Sequence, residues 1–254
     1  MKKIINILLS FFMAVVIFGL GSSLTAFIAT SAPYVNVMVG LSGYNKKAAI
    51  EIADYSQSVA IPSGLPENFF DDKIHTDFLK KTVKESVRAA LSGKDYQMPT
   101  EEIEELIYKD ILEYAKLNGI ETDEEATEML KNTASLAATY YKNYSYNIFY
   151  RILKIIKGVS LKMLVATAIL LALFVAMYYL LKGTKELSFG LLAGGIMLIT
   201  PIIFAITGAA FKWAIASTAL LGFINLYIGI MIALMVLMGA AAIFIGIKKA
   251  KEHL

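Results

Sequence analysis

The sequence predicts an all-α integral membrane protein: four transmembrane helices, with a mostly helical extracytoplasmic domain between the first and second. Three observations lead there. First, 57% of the 254 residues are hydrophobic, above the roughly 45–50% of soluble domains. Second, charge is absent from Ile4 to Asn45, Met163 to Leu181, Leu187 to Phe211 and Trp213 to Ile247. Third, the charged middle carries apolar residues at helical spacing.

A helix rises ~1.5 Å per residue, so a hydrocarbon core of ~30 Å takes about 20 apolar residues. Ile4–Thr30, Met163–Leu181, Leu187–Phe211 and Ala214–Ile247 meet that length. The last is longer than one span needs and too short for two, so its start near Ala214 is expected in the interface, or the helix tilts. Residues 1–30 read as a retained anchor. The competing reading is a signal peptide, with Lys2-Lys3 before the apolar run and Ala29-Thr30-Ser31-Ala32 as a small-residue cleavage site.

Cations in the short flanks set an expected orientation. Lys2 and Lys3, then Lys182 and Lys185, then Lys248, Lys249 and Lys251 fall on one side; only Lys212 lies between spans three and four. By the positive-inside rule both termini are cytoplasmic, in the cell membrane, and residues 31–158 lie outside. Residues 159–254 then form a three-helix membrane region with a short tail. Lysine greatly outnumbers arginine, which occurs only at Arg88 and Arg151, a bias that suggests an AT-rich, bacterial genome.

Within residues 31–158, Pro33, Gly40 and Gly43 predict an irregular exit from the first span. Tyr44–Ala60 carries Ile50, Ile52 and Val59 with a poor helical period. Ile74, Phe78, Leu79, Val83 and Val87 predict a helix capped by Asp71 or Asp72 and ended by Gly93. Pro99-Thr100 opens another, with Glu101, Glu102, Glu104 and Glu105 at its positive end and Ile103, Leu106, Ile107, Ile111 and Tyr114 as its stripe. Thr122 and Glu125 predict a capping box for a fourth helix, striped by Ala126, Met129, Leu130, Thr133, Ala137, Tyr140, Tyr141 and Tyr144. That helix is expected to run on towards span two, with Gly158 its weak point.

Chemistry is sparse. The chain lacks cysteine, which excludes disulfides, thiolate catalysis and Cys-ligated metal. It has no Gly-x-Ser-x-Gly elbow, phosphate loop or dinucleotide fingerprint. His75 is the one weak catalytic candidate, with Asp71 or Asp72 expected to orient its ring; a metal would need further ligands, so no metal site and no cofactor is expected. A net charge of +3, spread along the chain, argues against a nucleic-acid partner.

Tyr140, Tyr141, Tyr144, Tyr146, Phe149 and Tyr150 crowd together just before Arg151, Lys154 and Lys157. Aromatic rings beside cations suit the headgroup zone, so Tyr140, Tyr141, Tyr144, Arg151, Lys154 and Lys157 are the candidate binding residues, at the membrane interface. In the spans, Gly190, Gly194 and Gly195 predict close helix contact, Thr200-Pro201 a kink, and Asn225 the most polar side chain at depth. No ionisable residue lies in the hydrophobic cores, which weighs against an ion pathway and leaves a transporter or channel component a distant third reading. The expected function is non-enzymatic: the outer domain binds a protein, peptide or envelope partner, with lipid around the spans and a partner or homo-oligomer through them. The alternative is an outer-leaflet lipid-handling protein or enzyme built on Tyr140–Lys162.

Overall fold

The computed structural model describes residues 2–120, 123–147, 149–181, 184–208 and 217–252. Among them every regular element is helical: α1 (Lys2–Ala29), α2 (Ala32–Leu41), α3 (Tyr44–Ala60), α4 (Thr76–Ser92), α5 (Thr100–Leu117), α6 (Glu124–Lys142), α7 (Phe149–Leu181), α8 (Lys185–Gly208) and α9 (Thr218–Glu252). A short 3₁₀ turn, Ile61–Ser63, follows α3, and a π-helical turn, Asn143–Asn147, follows α6. Four helices are long and apolar enough to cross a membrane, within α1, α7, α8 and α9, as expected of a multi-pass membrane protein. Lys182, Lys212 and the start of the fourth apolar run at Ala214 lie outside the described residues.

The chain divides into two compact units. The first holds Met1–Tyr34, Gly158–Ile215 and Ile224–Leu254; the second holds Val35–Lys157 with Ala216–Phe223. In the first unit small residues set the packing. A methyl group at Gly190 would come within 2.7 Å of Met13 Cβ, and one at Gly194 within 2.7 Å of Ile17 Cβ, so α8 meets α1 through these two glycines. Beside them, a methyl at Gly195 would lie 2.9 Å from the Gly239 carbonyl oxygen, which brings α9 against the neighbouring face. Lipid tails are as apolar as leucine, so close van der Waals contact is what holds such helices together. Met13, Met177, Leu181 and Leu187 form a buried cluster, with Leu9 and Phe174 packed on it. α8 continues through Pro201.

In the second unit, α4 buries Phe78, Leu79, Thr82, Val83, Ser86 and Val87; α5 buries Ile103, Ile107, Ile111 and Ala115; α6 buries Leu130, Thr133, Ala134, Ala137, Ala138 and Tyr141. α3 has a regular inner face, but it is made of small residues: Ala48, Ala49, Ile52, Ala53, Ser56 and Ala60. Ile50 points away from it and is exposed.

Four local expectations change. The segment after α1 is not irregular: α2 occupies it, and the break comes at Gly43, whose φ of 65° is a left-handed conformation glycine tolerates. α4 starts at Thr76 with His75 at its N-cap, not at Asp71 or Asp72. Phe69 and Phe70 are both buried, in a turn over residues 67–71, and an irregular stretch then leads to the helix. α6 is capped by Asp123, whose carboxylate accepts the Ala126 N–H at 2.8 Å; Thr122 lies outside the described residues. Finally, Gly158 is no weak point. α7 runs through it, and the change of helical geometry comes earlier, at Asn143–Asn147.

The two glycine environments make opposite predictions for one substitution. A methyl at Gly158 meets nothing within 4 Å, and alanine is the better helix former by about 1 kcal/mol, so Gly158→Ala leaves stability unchanged or raised. Gly195→Ala drives a methyl into α9 backbone and lowers stability by about 1–3 kcal/mol. Thermal unfolding of the two variants in detergent micelles, moving in opposite directions, checks the helix contact.

Candidate functional site

The aromatic stretch is distributed over the second unit. Tyr141 is buried; its hydroxyl oxygen accepts the His75 backbone N–H at 3.0 Å, and its ring meets Phe78 edge-on at 6.1 Å. Burial pushes the Tyr141 phenol up to about 12, with the His75 bond opposing and Asp110 adding to the rise. Tyr140 stacks on Tyr55 with centroids 5.5 Å apart. Tyr150 donates to the Lys94 carbonyl at 2.9 Å. The side chains of Tyr146 and Phe149 lie outside the described ones. Of the cations, Arg151 and Lys154 are exposed and Lys157 is half-buried. Lys154 Nζ bonds Asp95 Oδ1 at 2.5 Å and lies 5.5 Å from the Tyr150 ring centroid, within cation–π range.

His75 pairs with neither Asp71 nor Asp72. Its Nε2 lies 3.0 Å from Asp110 Oδ2 on α5, an ion-pair distance without the alignment of a hydrogen bond. The expected pairing assumed one helix turn from 71 to 75, which the turns around Phe69 and Phe70 remove. His75 opens onto a shallow cleft of about 500 Å³ with Asp77, Lys81 and Glu102, where Lys81 and Glu102 already pair at 3.2 Å. Among the described residues no group of three His, Cys, Asp or Glu side chains is placed to hold a metal. One imidazole beside one carboxylate can shuttle a proton, but the cleft offers no activated nucleophile.

The most organised polar group was not singled out from the sequence. Glu51, half-buried on α3, receives the start of α9. Its Oε1 accepts the Thr218 hydroxyl at 2.5 Å and the Ala219 N–H at 2.9 Å, while its Oε2 accepts the Tyr144 hydroxyl. Ser217 Oγ caps the same helix end by accepting the Leu220 N–H at 3.0 Å. A carboxylate at the positive end of a helix is favoured by the helix dipole, and here it satisfies an N–H with no partner inside the helix. Tyr44, fully buried, completes the clasp: its hydroxyl donates to the Tyr144 carbonyl at 2.6 Å and its ring meets Phe223 edge-on at 6.2 Å. Burial alone would raise the Glu51 pKa; the bonds from Thr218, Tyr144, Ala219 and Ser217 outweigh it and hold the carboxyl below its ordinary value. Burial beside this carboxylate raises the Tyr44 and Tyr144 phenols, so both stay protonated as donors. The clasp has its hydrogen-bonding positions filled from within the chain, which makes it a fastening.

The second unit also carries an open groove of about 460 Å³. One wall is a single face of α6: Glu125, Glu128, Met129, Asn132, Thr133 and Leu136. The other is Ser58, Val59, Pro62 and Ser63, and Ser63 Oγ meets Thr133 Oγ1 at 2.5 Å across its floor. Met129 and Leu136 are 43% and 53% exposed. No family model, curated protein or solved structure matches the chain.

The clasp predicts an acid limb. Because the folded state holds the Glu51 proton more weakly than the unfolded state, its contribution is complete above the ordinary glutamate value of about 4.3 and is lost as pH falls through the lowered folded value. Glu51→Gln should melt at a lower temperature than the parent at pH 7, with the gap narrowing below about pH 4. Melting curves of both proteins from pH 7 to 3 check this; parallel curves would remove the clasp from the account.

Proposed function

We propose that this chain is a cell-membrane protein with both termini in the cytoplasm, whose extracytoplasmic helical domain (residues 31–158) binds a protein or peptide partner and performs no chemistry. The positive flanks of the spans support the orientation. The α6 groove carries the binding reading, because Glu125, Glu128, Met129, Asn132 and Leu136 stay exposed along it while the opposite face of α6 builds the core. Its walls define the partner. Met129, Leu136, Val59 and Pro62 offer apolar area, and carboxylates stand at one end. Between Lys116 and Lys131 the chain has no cation but carries Glu121, Asp123, Glu124, Glu125 and Glu128. The fitting ligand is an amphipathic segment with an apolar face and a cationic end, laid along the groove as helices are in other helix-in-groove complexes. Charge complementarity speeds the encounter and apolar burial holds the complex.

The alternative, lipid handling at the outer leaflet, draws on Arg151 and Lys154, both exposed on the first turns of α7 beside Tyr150. A photoreactive residue at Leu136 in intact cells separates the readings. The binding account predicts a discrete protein adduct that Glu125→Lys with Glu128→Lys abolishes while the chain stays at normal abundance. Lipid adducts alone, or a protein adduct unchanged by charge reversal, would contradict it.

A further inference from the structure

α2 has an exposed apolar face that neither the groove nor the clasp uses. This helix is 10 residues long and uncharged, Ala-Pro-Tyr-Val-Asn-Val-Met-Val-Gly-Leu. One side is buried through Val35, Met38 and Val39. The other exposes Val37 and Leu41, one turn apart and 53% and 68% exposed, with Pro33, Asn36 and Gly40 beside them. At ~1.5 Å per residue it is about 15 Å long, half of what a span needs.

Two observations identify what covers this face. The first is position: α1 ends at Ala29 and α2 starts at Ala32, so the helix begins within one turn of the end of an apolar span, inside a stretch uncharged from Ile4 to Asn45. The second is a pair of tyrosines that fixes this corner. Tyr227 donates its hydroxyl to the Ala29 carbonyl at 2.7 Å, satisfying an end of α1 that has no partner within the helix. Tyr34 donates to the Tyr227 carbonyl at 3.1 Å, and the two rings meet edge-on at 5.3 Å. Counting back about 20 residues from Ile247, where charge resumes, reaches Ile228, so Tyr227 stands where the hydrocarbon ends. Tyrosine favours that level, with its ring in the apolar phase and its hydroxyl at the edge.

We infer that α2 is a membrane-surface helix whose Val37–Leu41 face rests on phospholipid at the boundary between headgroups and acyl chains. Its other face is docked on protein, so it differs from a free amphipathic helix, whose second side is charged and wet. The contact fixes how the chain leaves the first span. It is independent of what the groove binds.

The chain has no cysteine, so each introduced one is unique. Val37→Cys, Leu41→Cys and, as an exposed control on the second unit, Leu117→Cys (78% exposed in the parent) are labelled with an environment-sensitive fluorophore. The full-length proteins are placed in phosphatidylcholine–phosphatidylglycerol vesicles, with and without lipids brominated near the top of the acyl chain. Blue-shifted emission and loss of intensity with bromolipid at 37 and 41, against water-like unquenched emission at 117, is the expected result. Water-like emission at 37 and 41 overturns the inference. So does a blue shift without bromolipid quenching, which would mean that a second copy or another protein covers the face.

Discussion

A backbone in hydrocarbon has only itself for hydrogen bonding, so each crossing is a helix of about 20 residues, and any helix much longer must spend the excess elsewhere. α7 and α9, at 33 and 35 residues, both exceed that length. In each case the excess belongs to the second unit: residues up to Lys157 at the start of α7, and Ala216–Phe223 at the start of α9. The first turns of α9, through Phe223, belong to the second unit, and Asn225, two residues before Tyr227, is exposed.

An overhanging helix start needs its free N–H groups satisfied, and this demand gives the Glu51 clasp its form. A carboxylate on α3 and hydroxyls from Ser217, Thr218 and Tyr144 meet at one helix end. The opposite strategy serves the first unit, where hydrogen bonds are already internal and helices hold by backbone proximity at Gly190, Gly194 and Gly195. The α6 groove lies among elements fixed by ordinary core packing.

Composition and periodicity made much of this legible. The bilayer acts on composition, so the apolar runs announce themselves, and Gly190 and Gly194 could be read as a packing face. α4, α5 and α6 have large apolar residues on one side, so their cores were readable. α3 was not, because apart from Tyr44 and Ile52 its inner face is alanine and serine, which hydrophobic periodicity hardly registers. α2 was missed because Pro33 and Gly40 are breakers in isolation, yet proline is tolerated in a first helical turn. Glu51 was illegible for a different reason. Its partners lie 93 to 168 residues away, and no local spacing encodes them. The tyrosines mislead in the reverse sense: crowding beside cations suggests a membrane belt, whereas Tyr141 and Tyr144 are occupied by His75 and Glu51 within the second unit.

The central claim is that α9 serves two media, with its first turns in the helical domain and the rest in hydrocarbon. The direct measurement is a spin-label scan at Thr218, Asn225, Ile228 and Leu237 in vesicles, comparing collisions with oxygen and with a water-soluble nickel complex. The account predicts nickel-dominated relaxation at 218 and 225, a crossover at about 227–228, and oxygen-dominated relaxation at 237. Oxygen-dominated relaxation already at 218 would put the whole helix in lipid and contradict it.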